Sequence, residues 1–319
     1  MTRLLGFLLV SALSLQAADI VVAVGYGGRR MTSTDGQKWD HLTEWKAEGG
    51  DDFYNLIAIT SGHGKFVAVG GGGFTRETQK GHILVSSDGK DWQPVGDWPN
   101  RVNPVTFDGK RFVAAGGGET ALLYSDDALT WKRGAAIKTE GPGWAFWFRK
   151  GAAGNDRHIL FGDHDTTKPR RNFCVVTRNG ETIEKVDYNF PAIAGCAFGN
   201  GVFALVTKEE GIVKTSSDGL TWTDRLTLGP DPSGIAFNGS VFITGNREKL
   251  LTSADGASWS EDAGAKLPGT LLAAKDRTLI AGAGWPGKMQ SSQDGGKTWA
   301  RSPELPPNGI NAAIFGPVR

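Results

Sequence analysis

Short apolar runs of four to seven residues recur along this chain, each broken by Gly, Asn or Asp. One set reads IVVAVG (20–25), FVAVG (66–70), FVAAG (112–116), ILFG (159–162), FALVT (203–207), FITG (242–245) and LIAG (279–282). A second set precedes it: NLIAIT (55–60), NPVTF (103–107), GWAFWF (143–148), AIAGCAF (192–198), SGIAF (233–237) and TLLAA (270–274). β-Branched and aromatic runs bounded by turn formers predict strands joined by hairpins.

A polar phrase punctuates the strands at fixed places. It occurs as STDGQKW (33–39), SSDGKDW (86–92), SDDALTW (125–131), SSDGLTW (216–222), SADGASW (253–259) and SQDGGKTW (292–299), with a worn copy, TRNGETI, at 177–183. The first positions are separated by 53, 39, 52, 39, 37 and 39 residues. The segment after each Trp supplies a fourth strand. Four short strands in a unit of about 40 residues are the signature of a propeller blade. The expected fold is therefore all-β, a seven-bladed β-propeller of four-stranded antiparallel blades. The first unit lacks its leading strand, and INAAIF (310–315) at the far end of the chain supplies one. Ring closure by that strand removes the exposed sheet edges.

Composition agrees and narrows the function. The 46 glycines and 11 tryptophans suit many short strands, tight turns and regularly spaced aromatics. Lys and Arg number 35 against 34 Asp and Glu, so no basic excess exists to displace counterions from a nucleic acid. Met1-Thr2-Arg3, the apolar run Leu4–Leu15 and the small residues Ala17 and Ala18 have the layout of a secretory signal peptide. Residues 1–18 are expected to be removed, leaving 19–319 as a single exported domain, periplasmic or extracellular. No other run is long and apolar enough for a transmembrane helix.

The repeated phrase resembles the Asp-box, or BNR, repeat of sialidases, other glycoside hydrolases, sortilin-type receptors and photosystem II assembly factors. The resemblance covers nearly the whole mature chain and implies a propeller more strongly than any activity. The Ser or Thr hydroxyl and the Asp carboxylate can satisfy N–H groups of a hairpin turn, with glycine allowing positive φ. The Trp can pack on a neighbouring sheet. Asp35 and Trp39, Asp88 and Trp92, Asp127 and Trp131, Asp218 and Trp222, Asp255 and Trp259, and Asp294 and Trp299 are read as structural. Carboxylates spread around a ring cannot converge on one substrate. Cys174 and Cys196 align with apolar positions of other repeats and are expected in the core, a disulfide between them remaining open.

Ligands are expected on the face built by the loops between second and third strands and by the connections between blades. Those segments hold Arg29, Arg30, Trp45, Tyr54, Arg76, Glu77, Arg101, Trp144, Asp163, His164, Asp165, Arg170, Arg171, Arg247 and Trp285. Aromatics beside arginines and carboxylates suit glycan or acidic-ligand recognition through stacking and bidentate hydrogen bonds. Asp163-His164-Asp165 invites a metal, but an extended segment turns only the two Asp to one side, and no zinc-motif spacing occurs. GAGWPGKM (282–289) imitates a phosphate loop with Met289 where Ser or Thr belongs, and it leads to a strand. No metal and no cofactor is expected.

The resemblance admits two functions. One is a non-catalytic, monomeric scaffold binding a glycan or protein. The other is a carbohydrate-active enzyme, a sialidase-like glycoside hydrolase or a polysaccharide lyase. A sialidase is disfavoured by the absence of an early Arg-Ile-Pro motif, by the absence of any Tyr after Tyr188, and by seven blades in place of six. Other glycosidases would need a facing carboxylate pair.

Overall fold

The computed structural model describes residues 19–45, 53–72, 80–116, 121–137, 146–164, 171–282, 289–302 and 309–318. Residues 1–18 lie outside this set, as do Arg76, Glu77, Trp144, Asp165, Arg170 and Trp285 of the expected ligand face. The strands form seven sheets of four antiparallel strands each. The inner strands, Leu56–Gly62, Val102–Phe107, Phe146–Gly154, Ile193–Gly199, Ile235–Phe237, Leu271–Lys275 and Ile310–Pro317, neighbour one another in succession and close a ring. We number the blades in that order, beginning with the one that contains the N-terminal strand.

Blade one closes as its sequence demands. Ile310–Pro317 pairs with Asp19–Gly25, from Asp19 opposite Pro317 to Gly25 opposite Ile310. Arg30–Ser33 and Asp40–Thr43 complete the sheet outward. Burial follows this radial order. The second strands are nearly continuous apolar runs because both faces of each sheet meet a neighbouring blade, as Phe66–Val69 and Phe112–Ala115 illustrate. Asp40–Thr43, an outer strand, is exposed throughout.

The core is correspondingly divided into seven seams, one between each pair of blades. Trp39, Trp92, Trp131, Trp222, Trp259 and Trp299 each pack into a different seam. In the seam between blades three and four Ile183 takes that place, so the worn copy still fills its slot. Cys174 and Cys196 both lie at the seam of blades four and five, as free thiols. Burial raises both thiol pKa values, that of Cys196 to about 12, which keeps them protonated and poorly nucleophilic.

The repeated phrase folds as a hairpin turn between third and fourth strands. In blade five, Gly219 N–H donates to Ser216 Oγ at 2.7 Å, and Leu220 and Thr221 N–H donate to Asp218 Oδ1 at 2.9 and 3.1 Å. Ser216 Oγ also donates to that carboxylate at 2.9 Å. Trp222 Nε1 returns to the Gly219 carbonyl at 3.2 Å. The pattern recurs around Asp35, Asp88, Asp255 and Asp294. Asn179 replaces the carboxylate in blade four, accepting from Glu181 and Thr182 N–H. Ala128 replaces glycine in blade three and holds φ at 69°. Gly219 sits at φ +72°, and a Cβ there would stand 2.2 Å from Ile159 of the preceding blade. Each turn thus docks on the blade before it, and local hydrogen bonding is converted into contact between blades.

Inner strands carry a second repeated device. Their pairing with the second strand shifts between Leu56 and Ala58, Phe148 and Lys150, and Ile193 and Gly195, and at the matching place in blade one. These β-bulges lie toward the end of the ring opposite the turns, where a bulge can re-aim side chains. The bulged residues are Ile57, Arg149, Ala194 and, in blade one, Asn311.

Candidate ligand-binding face

Two aromatic and cationic clusters stand on the face opposite the turns. The first joins blades one and two. Gly27 and Gly28 turn the chain between second and third strands, both at positive φ. Trp45 N–H donates to the Gly27 carbonyl at 2.9 Å, and the indole lies so close over Gly28 that a Cβ there would be 2.5 Å from its ring. Trp45 meets Tyr54 at 5.6 Å and His82 at 5.2 Å between ring centroids, and Tyr54 stacks on His82 at 6.0 Å with planes 12° apart. Trp45 and Tyr54 are each 38% exposed, so this aromatic surface faces water.

Two adjacent arginines beneath it have opposite fates. Arg29 is buried and ion-paired to Glu44, Nε at 2.6 Å and Nη2 at 2.5 Å. Arg30, at 4% exposure, lies with its guanidinium carbon 4.8 Å from the centroid of the Trp45 ring. Its buried Nε has no acceptor among the described residues. Burial without a carboxylate partner pushes the Arg30 pKa below the ordinary guanidinium range. A buried donor left unmade costs about 1 to 3 kcal/mol, more when charged, and the cation–π contact offsets part of that. Of the two, Arg30 is the one with binding capacity to offer.

The second cluster joins blades three and four. Trp147 lies between two guanidinium groups, Arg101 at 5.4 Å and Arg149 at 5.9 Å from its ring centroid. Arg101 Nε donates to the Gly71 carbonyl of blade two at 2.8 Å. Arg149 grips Asp163 with Nε at 2.6 Å and Nη2 at 3.2 Å, a bidentate pair. Asp163 and His164 are both buried within Arg157–His164, so they are not displayed on an open loop. Arg171 and Arg247 are exposed. Between blades two and three, a cavity of about 80 Å³ is lined by Trp98, Pro99, Asn100 and Arg133 among others. The buried Trp98 indole N–H, beside it, lacks an acceptor among the described residues.

The structure therefore brings together Arg30, Trp45 and Tyr54, and separately Arg101 and Asp163, from the sequence-derived set. It adds His82, Trp147 and Arg149, which lie in strands and so escaped a search confined to loops. The pair Arg149-Lys150 was the available signal, two cations inside an otherwise apolar inner strand. Among the described residues no three His, Cys, Asp or Glu side chains converge in a way that could hold a metal ion. No helix among them is long and apolar enough to cross a membrane.

A triad-like arrangement elsewhere is structural. His158 Nδ1 is 2.8 Å from Thr106 Oγ1, and its Nε2 is 3.6 Å from Asp108 Oδ2. His158 has no exposed surface and Asp108 is nearly buried, so no substrate reaches them. Burial pushes the Asp108 pKa up, but His158 and the N–H groups of Arg111 and Lys110 outweigh it, leaving the carboxyl well below its ordinary range.

Against known proteins, the DUF6242 beta propeller domain model matches residues 202–316, from the second strand of blade five to the closing strand. No curated protein sequence matches. Among solved structures, virginiamycin B lyase from Staphylococcus aureus aligns with a TM-score of 0.53 at 10% identity, over 80% of this chain and 85% of that one. YCF48 bound to D1 peptide aligns at 0.53 and 14% identity, over 97% and 100%. YCF48 from Cyanidioschyzon merolae aligns at 0.50 and 16% identity, over 82% and 94%. At such identities the likeness is one of fold, shared by an enzyme and a peptide binder alike.

Proposed function

We propose that this chain is an exported, monomeric, non-catalytic scaffold that binds an acidic segment of a protein partner on the face opposite its turns. One observation carries the reading: the buried Arg30 Nε has no acceptor among the described residues, beneath an exposed Trp45–Tyr54 surface. A carboxylate reaching that guanidinium would satisfy it while aromatic neighbours pack on the flanking residues. The carboxylates Glu44 and Asp163 support binding over hydrolysis, because each is engaged by an arginine and not poised as a free pair. The structural neighbour YCF48, which holds a D1 peptide, supports a peptide ligand on this fold.

The test pairs an array of Glu- and Asp-rich peptides with an array of uronic- and sialic-acid glycans, read by binding and by reducing-end release. Peptide binding that disappears in Arg30→Met and Trp45→Ala is the expected result. Glycan binding lost in the same variants moves the ligand class to acidic sugars. Product release from any glycan replaces the scaffold with a glycoside hydrolase or lyase. Binding indifferent to both substitutions removes this face from consideration. N-terminal sequencing of the secreted protein checks export, with Asp19 or a close neighbour expected first.

A further inference from the structure

The cavity of blades two and three lies between the two aromatic and cationic clusters, and the chain places it within one residue of each. Its wall residue Trp98 ends the outer strand of blade two, Gln93–Trp98, and pairs with Gly81. The residue after Gly81 is His82, which stacks on Tyr54 in the first cluster. Pro99 and Asn100 continue the wall, and the residue after them is Arg101, which lies against Trp147 in the second cluster. A close approach of backbones holds Asn100 there, since a Cβ at Gly81 would stand 2.0 Å from its carbonyl oxygen. Cluster, cavity and cluster therefore follow one another along one face.

Burial gives the cavity a mouth and a floor. Pro99 and Arg133 are exposed, whereas Ala121, Leu123 and Asn100 are buried. The floor is aliphatic apart from the Asn100 amide, and a cation belongs to the entrance. Gly116 marks where the space is left open. Among the described residues a Cβ there would meet only the Ala121 carbonyl oxygen, at 3.5 Å, an ordinary contact. The volume is about 80 Å³. An apolar cavity of about 150 Å³ takes benzene, so one about half as large suits an isopropyl or isobutyl group and not an aromatic ring.

We propose that this cavity takes a branched aliphatic side chain of the bound segment, its acidic neighbours lying along the cationic rim. The inference rests on the reading of this face as a docking site for an acidic segment. It adds a sequence requirement, an aliphatic residue flanked by acids. Continuity with both clusters, Arg133 at the mouth and the cavity's size all favour that occupant. Apolar burial supplies affinity here, while the few polar groups around it fix orientation.

The experiment measures calorimetric binding of capped Glu-Glu-Xaa-Glu-Glu peptides to the full purified protein, with Gly, Leu or Phe at the centre. Separately, 3-methylbutan-1-ol, which carries an isobutyl group, is titrated against the Trp98 indole N–H signal in NMR. That signal is identified by its loss in Trp98→Phe. The Leu peptide should bind about tenfold or more tighter than the Gly peptide, and the Phe peptide no tighter than Gly. Gly116→Val, at a position without positive φ, should erase the Leu preference and the alcohol response with no loss of melting temperature. Ala121→Val repeats the block from a second wall. Arg30→Met should abolish peptide binding yet leave the Trp98 response to the alcohol intact, which separates the cavity from the rim cation. Equal binding of the Leu and Gly peptides overturns the proposal, as does a Leu preference that survives both filled cavities. If no peptide binds, the docking reading falls and the alcohol decides the cavity. A saturable Trp98 shift absent from the filled variants then retains an aliphatic site, and no shift removes it.

Discussion

The turn face and the opposite face of this ring are built from the same residue types and reach opposite ends. On the turn face, each aspartate accepts two backbone N–H groups and each serine joins the turn to that carboxylate, as Ser86 and Asp88 show. On the other face, Arg30 holds a buried donor with no acceptor among the described residues, and desolvation lowers the Lys150 amine pKa below the ordinary lysine range. Polar groups repeated with the period of the fold are satisfied by the fold. Polar groups that break the period are left with unspent capacity, and that is where ligands are to be sought.

Breaking the fastened face should give the largest effects. Gly219→Val combines a positive φ with a Cβ 2.2 Å from Ile159 and is expected to destabilise by about 3 kcal/mol or more. Trp222→Ala should cost about 2 to 3 kcal/mol by emptying the seam of blades four and five. Chemical denaturation of each variant checks both numbers. Arg30→Met sharpens the contrast because its sign is reversed. Removing an uncompensated buried charge should raise stability by about 1 to 2 kcal/mol while abolishing ligand binding. A loss of stability would instead make Arg30 a structural residue.

Acid should unfasten the turn face selectively. Backbone N–H groups and the serine hydroxyl hold Asp218 below its ordinary carboxylate range, and Ser258 and Ala257 N–H do so for Asp255. Depressed folded-state values mean stabilisation that is complete above the unfolded carboxylate pKa, near 4, and lost as pH falls through the lower folded values. A melting series from pH 6 downward should show stability declining below about pH 4. Lys150→Met gives the smallest effect and the opposite window. A depressed lysine pKa penalises the charged form in the folded state, so the variant should be slightly more stable at neutral pH. That advantage should vanish as pH rises toward the unfolded lysine value near 10.4.

Much of this was legible in the sequence because blade pairing is periodic. The strand runs, the phrase between third and fourth strands and the orphan strand at 310–315 give seven blades and their closure without coordinates. Even TRNGETI could be placed, since Thr177, Asn179 and Gly180 retain the bonding chemistry of the turn. The face was harder to read. Arg29 and Arg30 are neighbours in sequence, but only contacts across the fold distinguish them, Glu44 for one and the Trp45 ring for the other. His82 and Trp147 sit within strands, where hydrophobic patterning reports burial and not which seam a ring will meet. Local composition encodes a strand; it does not encode what arrives opposite it from the next blade.

The pairing of Asp19 with Pro317 also sets a timetable. Asp19–Gly25 leaves the ribosome before the strands of the other six blades, and its partner Ile310–Pro317 leaves after all of them. At roughly 5 to 20 residues per second, the wait is roughly 15 to 60 s. Throughout that interval Asp19–Gly25 presents an unpaired edge able to recruit any strand nearby. A nascent chain of this kind needs its early strands shielded until the closing strand arrives, and loss of that strand would turn a closed ring into an adhesive one.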